Sequence, residues 1–307
     1  MRVTVVGDCT LDVIVRPDGV ARAGGDVGAH VTVGPGGQGA NVAVRLARQG
    51  VSVRLVTALA DDAAGRLLAA DLVDEGIELI RLPADRSGTV VALLDGAGER
   101  SMFSDRVSLA SGPVGAALDP TDWVHASGYA LADARTGEAL AVALAAAHPR
   151  SRVSIAGGSF QPDTAGAAEV RDRLAIVRPD LLILNLDEAA VVLGGGTESI
   201  VTAAAGLAAA MPDTLAVVTG GRAGSAVAGR GLELAISPDA PVARMVDATG
   251  AGDAYTAGMI AALLGTPWPP DADAARDAMR QAGQMGALAS QVLGAQGRIS
   301  GERNPAS

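Results

Sequence analysis

The sequence predicts an α/β protein, a mainly parallel sheet covered by helices on both faces. Three observations carry this. Short Val/Leu/Ile runs alternate along the chain with stretches of helical pattern. The composition is 49% hydrophobic but only 2% aromatic, so the core must be built from Val, Leu, Ile and Ala. No linker, low-complexity tract or tandem repeat divides the 307 residues, a length that suits one large domain or two smaller ones.

The opening "MRVTVVGD" reads as a first strand and not as a leader peptide. "DVIVRPDG" and "GAHVTVG" are strand-like with no helix between them. A helix is expected over 39–49, a strand at "VRLVTAL" and a helix over 61–75. Gly88 to Ser104 breaks the alternation, with two strand-like runs around a "DGAG" turn. These antiparallel pieces form either a small separate sheet or edge strands of the main one. The alternation resumes with "DWVHAS", helix 135–147, "VSIA", helix 166–175, "LLILN", helix 187–210 and "LAVVTG". The last part, about 251–264 and 272–293, reads as helical throughout.

Charge excludes several functions. All 24 basic residues are arginine, so chemistry that needs a P-loop lysine is ruled out. A net charge of −10 argues against nucleic acid or an anionic membrane as the main partner. An anionic ligand would have to be held by local dipoles or metal. The single cysteine, Cys9, leaves no disulfide framework or Cys-rich metal site, and no apolar run is long enough for a membrane helix. A cytoplasmic protein is expected. His30, His125 and His148 are scattered and read as structural.

Two glycine-rich stretches stand out. In "GPGGQGANVAVRLARQG", Gly36, Gly37 and Gly39 precede a helix that carries Asn41 in its first turn. Bare backbone at a helix N-terminus admits a ligand, although such turns are often only structural. In "DATGAGDAYTAG", Gly250, Ala251 and Gly252 stand before Asp253, with a strand-like stretch ahead of them and a helix behind. Free amides and the helix dipole there make an anion hole without lysine. A carboxylate in that place repels an anion, unless its task is to take a proton from an attacking nucleophile. Asp253 therefore reads as a general base beside a phosphate site, with an N-cap as the plainer alternative.

"GGQGAN" followed at this distance by "DATGAGD" resembles the ribokinase-like PfkB carbohydrate kinases, over nearly the whole chain. The resemblance implies a single three-layer αβα domain over 1–307, with a small β-sheet lid contributed by about 12–33 and 88–104. It implies ATP-dependent transfer of the γ-phosphate to a primary hydroxyl of a sugar, with ATP and Mg²⁺ and, in many members, K⁺. Asp253 matches the catalytic base, and Gly250, Ala251 and Gly252 match the anion hole. Asp12, Gly37, Gln38 and Asn41 match sugar contacts; Gln38 stands where ribokinases proper carry lysine. Asp133 is the nearest match to a further acidic sugar contact. Asn185 and Glu188 of "NLDE" match the motif that orders Mg²⁺ and phosphate. Thr219, Gly221 and Gly224 match the nucleotide turn. Asp247, with the loop "GAQG", matches the K⁺ site. "VSIAGGSF" departs from the family, many members having Asn or Asp with Pro there. The lid is often the contact of a homodimer. A nucleoside kinase of the same fold and a non-catalytic sensor are the alternatives.

Overall fold

The computed structural model describes residues 1–20, 23–94, 100–109, 114–118, 121–148, 151–158, 160, 166–238 and 245–303. The "DGAG" turn and Ser159 lie outside them. Among the described residues thirteen strands form two sheets. The strands are β1 (Arg2–Val6), β2 (Thr10–Pro17), β3 (Ala29–Gly36), β4 (Ser52–Ala58), β5 (Glu78–Leu82), β6 (Gly88–Leu94) and β7 (Arg100–Asp105). They continue as β8 (Trp123–Ala126), β9 (Arg152–Ala156), β10 (Leu181–Asn185), β11 (Leu215–Thr219), β12 (Ser225–Gly229) and β13 (Leu232–Ile236). The helices are α1 (Gln38–Arg48), α2 (Ala63–Asp74), α3 (Val114–Ala117), α4 (Gly128–Ala132) and α5 (Gly137–Ala147). After them come α6 (Gly166–Val177), α7 (Leu186–Leu193), α8 (Ile200–Ala210), α9 (Ala251–Leu263) and α10 (Ala272–Ala289).

The large sheet has the order β13-β12-β11-β10-β9-β8-β1-β4-β5. It is parallel except for β12 and β13, which pair antiparallel at one edge. Strand alternation explains why both of its faces are apolar. Leu181 and Ile183 of β10 point into one core with Leu46 of α1, Leu68 of α2, Ile260 of α9 and Met279 of α10. Leu182 and Leu184 point into the other, with Leu144 of α5, Leu174 of α6 and Leu207 of α8. The fold is thus a three-layer αβα arrangement, as the resemblance implies.

The pieces expected to be antiparallel form a separate sheet, β3-β2-β6-β7, and not edge strands; it is mixed, because β2 and β6 pair parallel while β3 and β7 pair antiparallel to them. Its outward face carries Val33, Val13, Val91 and Phe103 side by side, with Val33 53% and Phe103 60% exposed. Val90 and Ala92 on the inward face are buried.

One expectation needs correction. The helix expected over 187–210 is two helices. Gly194, at φ 74°, closes α7 in the left-handed region, and the Ser199 side chain caps α8 by accepting from Thr202 N. The strand-like stretch expected ahead of "DATGAGD" falls largely outside the described residues, which stop at 238 and resume at 245; 245–250 is a loop whose Val246 N donates to Ser290 O at 2.8 Å.

Candidate active site

β1 lies where the strand order reverses. From it the chain runs to β4 and β5 on one side and later to β8–β11 on the other. Ligands of open α/β sheets bind at the carboxyl ends of strands at such a point. Gly7 there is packed so closely on Ser127 and Gly39 that a Cβ would come within 3 Å of both. This brings the start of α1 onto the ends of β1 and β8.

Gly37 begins α1 with φ 93°, and a Cβ on it would meet Asp8 O at 2.6 Å. One turn on, the Asn41 side chain donates from Nδ2 to Asp253 Oδ2 at 2.7 Å. The two glycine motifs, 212 residues apart, meet through this bond. Asp253 is not an N-cap. Gly250 holds that place with φ 76°, and Asp253 stands on the first turn of α9. A Cβ on Gly250 would sit 2.7 Å from Ala295 Cα, so this glycine is fixed by the fold. Gly252 differs: it is exposed, its φ is ordinary, and a Cβ there would meet nothing within 4 Å. Nothing inside the protein explains its bareness, whereas a ligand over the helix N-terminus would.

Asp253 is half-buried, with its carboxyl ringed by protein, and that desolvation pushes its pKa up to about 7. Asp8 raises it further, while the Asn41 hydrogen bond, Arg106 and Arg45 work the other way. Asp12 on the lid accepts from Thr10 Oγ1 at 2.7 Å, and burial pushes its pKa up to about 6. It lines a cavity of about 410 Å³ under the lid, together with Ile14, Val90 and Ala92 and, from the C-terminal loops, Asp247, Thr249 and Gln296.

The sequence reading missed Asp8 and Arg106. Asp8 Oδ2 pairs with Arg106 Nη1, and Arg106 stacks over the Tyr129 ring at 3.7 Å. Both charges act on Asp12 and on Asp253, which places the pair between the two. The available signal was Asp8 directly after a buried strand; Arg106 had none.

Gln38 joins two loops. Its Nε2 donates to Gly157 O and its Oε1 accepts from Gly128 N at 2.9 Å. The double glycine of "VSIAGGSF" lets this happen. A Cβ on Gly157 would strike Glu188 Oε2 at 1.9 Å, and one on Gly158 would strike Tyr129 N at 2.3 Å. Asp133 works as a turn carboxylate, accepting from Ser108 Oγ, Arg135 N, Thr136 N and Thr136 Oγ1. Burial opposes its charge, but these bonds hold its pKa below the usual carboxylate range.

Asn185 and Thr219 are register partners at the ends of β10 and β11. Asn185 and Glu188 form a complete capping box on α7, with bonds of 2.8 and 2.9 Å. Gly221, at φ 56°, opens a 3-10 turn that closes at Gly224, beside a cavity of about 420 Å³ lined by Gly220, Ala223, Ser199 and Ile236. Tyr255 Oη donates to Ser225 Oγ at 2.9 Å and ties α9 to this region. Asp247 accepts from Thr249 N and Thr249 Oγ1 and, at 3.0 Å, from Gly294 N, joining the two C-terminal loops.

The family model described as pfkB family carbohydrate kinase matches residues 1–302. The chain belongs to the pfkB family of carbohydrate kinases. It is 33% identical over 315 residues to a fructokinase of Klebsiella pneumoniae, covering 96% of this chain and 94% of that protein. Among solved structures it resembles fructokinase from Vibrio cholerae O395 in a form with fructose, ADP and calcium bound. The TM-score is 0.77 at 26% identity, with 96% of this chain and 94% of that one covered. A double mutant of the same enzyme with fructose, ADP and potassium bound gives 0.76 with the same identity and coverage. Members of this family are ATP-dependent carbohydrate kinases, and that is the activity class of the chain. Among the described residues no helix is long and apolar enough to cross a membrane.

Proposed function

We propose that Asp253 takes the proton from a primary hydroxyl of a small sugar, which attacks the γ-phosphorus of ATP in line. The observation that carries this is the Asn41–Asp253 bond beside the bare first turn of α9. A carboxyl with a pKa near 7 is a competent base at neutral pH. Amides of 250–253 stabilise the charge that develops on the transferred group. Asp12 and Asn41 grip the sugar, with Gly37 giving the backbone its approach. Gln38 shapes the pocket by fixing the loops at Gly128 and Gly157, and Asp133 acts at one remove, through Ser108. Thr219, Gly221 and Gly224 carry the nucleotide.

Among the described residues no cluster of three or more His, Cys, Asp or Glu forms a protein cage for Mg²⁺. An ion that keeps its waters and arrives on ATP fits instead, with Glu188 and Asn185 ordering those waters. Bound there it would neutralise phosphate charge. A K⁺ ion fits at Asp247, whose carboxylate already draws together the loops at 249 and 294. The apolar outward face of the lid is read as the contact of a homodimer, and the cytoplasm as the place where ATP is met.

Fructose is the first sugar to test, given the fructokinase relatives. The nucleoside alternative is disfavoured because the Tyr129 ring, which could stack a base, is already covered by Arg106. A sensor would have no use for Asp253. The test is ATP consumption over a panel of ketoses, aldoses and nucleosides. Turnover confined to nucleosides, or none with any sugar, would overturn the reading.

A further inference from the structure

Asn41, Arg45 and Arg48 lie along one stripe of α1, and all three face the segment 293–303. Fully buried Arg45 donates from Nη2 to Ala295 O at 2.9 Å and from Nη1 to Glu302 Oε1 at 2.7 Å. Arg48 donates from Nη1 to Gln296 O at 2.8 Å and pairs with Glu75 and Glu302. These bonds hold the backbone of Gln296 against α1. Its side chain then reaches back along the stripe, and Nε2 donates to Asn41 Oδ1 at 3.0 Å. Asn41 has one acceptor and one donor end on its amide. With the acceptor taken by Gln296, the donor is left for Asp253.

We propose that Gln296 is a positioning residue which fixes the polarity of the Asn41 amide, so that Asn41 donates to Asp253 Oδ2 and leaves Oδ1 to the acceptor hydroxyl. The inference rests on Asp253 as the base. Among the described residues no hydrogen bond reaches Asp253 Oδ1. Asn41 Nδ2 donates to Asp253 Oδ2, and this bond is stronger to an ionised carboxylate than to a carboxyl protonated on Oδ1, which still accepts at Oδ2. A protonated Asp253 that donated to Asn41 would require both amides to turn over together. The relay thus favours the form of Asp253 that can accept a proton. The charged groups facing Asp253 are Asp8 after β1, Arg106 after β7 and Arg45 on α1. Gln296→Met leaves all of them unchanged and adds no charge, whereas Gln296→Glu adds one of its own.

Gln296→Met keeps the length of the side chain and removes the lock. Gln296→Glu can only accept, so it draws Asn41 Nδ2 to itself and turns Asn41 Oδ1 toward Asp253. We expect the acidic limb of the pH profile of kcat/KM for the sugar to move up by about one pH unit in the Met variant, and further in the Glu variant. Well below the limb this is a loss of about tenfold; well above it the Met variant approaches wild type, with the KM for ATP unchanged throughout. Titration of the Asp253 carboxyl by carbon-13 NMR in the uncharged Gln296→Met variant gives a second readout that does not depend on turnover. A Met variant with the wild-type profile, or an equal loss at every pH, overturns the proposal, as does an unmoved carboxyl titration. Asp253→Asn is measured in parallel. If it retains turnover, the base assignment fails; if it is inactive while both Gln296 variants keep the wild-type profile, only the relay fails.

Discussion

Asp253→Asn separates the chemical role of this carboxylate from any part it plays in the fold. The amide keeps the size of the side chain and an oxygen that still accepts from Asn41 Nδ2. It cannot take a proton, so kcat should fall by at least ~10²-fold while ATP still binds. Stability should move in the opposite direction. The folded state raises the carboxyl from 3.8 to about 7 because it is desolvated. The folded protein therefore holds a proton that the unfolded chain releases above about pH 4. Stability falls as pH rises through that window, and the whole penalty is present above about pH 7. Counted in full, the displacement is worth roughly 4 kcal/mol, and relaxation around the site reduces it. Removing the charge should stabilise the fold at about pH 8 by roughly 2–4 kcal/mol, a rise in Tm of at least about 4 °C. At about pH 4, where Asp253 is protonated in the folded wild type, the two proteins should melt nearly together. Calorimetry at both pH values, with steady-state kinetics, makes the measurement. A mutant less stable than wild type at the higher pH would show that the carboxylate is not desolvated as the structure has it. Near-normal turnover would remove it from the mechanism.

Wild-type kcat/KM for the sugar should fall as pH drops through about 7, because protonated Asp253 cannot act as a base. Gly252→Val should fold with little loss of stability, since a Cβ there meets nothing, yet raise the KM for ATP and lower kcat; unchanged kinetics would assign the glycine to helix packing alone. Asp12→Ala should raise the sugar KM by ~30-fold or more, the equivalent of about 2 kcal/mol in charged hydrogen bonds, with the KM for ATP nearly constant. Activity should rise with K⁺ over a large organic cation at equal ionic strength; equal rates would leave Asp247 as a loop clasp only.

The layered fold was legible because its signal is local. Runs such as "LLIL", Leu181 to Leu184, are apolar at every position, and only a strand covered on both faces needs that. The β12–β13 hairpin was not legible. Leu232–Ile236 alternates partly buried with exposed residues at a sheet edge, and so resembles an ordinary loop strand. The break between α7 and α8 was misread because "GGGTES" interrupts two alanine-rich patterns that share a period, and only the left-handed Gly194 shows where the first stops. The separate lid sheet could be weighed evenly from pattern alone, because strand pairing is decided by which surface each strand covers.

The site was legible where a residue's position contradicts ordinary fold logic, and hidden where it does not. Asp253 stood out because a carboxylate beside bare helix amides has no structural purpose, and the structure gives it no capping bond. The glycines around it have different reasons, which sequence cannot sort. Gly250 is held by Ala295 and by a positive φ, while Gly252 is held by nothing in the protein. Asn185 and Glu188 look functional and also close a capping box, so one pair of side chains serves two purposes. Arg106 carried no local signal, and Gln296 none for its side chain although its loop "GAQG" was singled out, because each side chain acts through a partner about a hundred or more residues away. A protein with no lysine and a net charge of −10 must gather its positive potential at one place. It does so with oriented amides, and with buried arginines matched to carboxylates so that neither sign is left exposed to the substrate. Arg45 illustrates the device: its charge is paired with Glu302, its hydrogen bonds hold a loop, and its field still reaches Asp253.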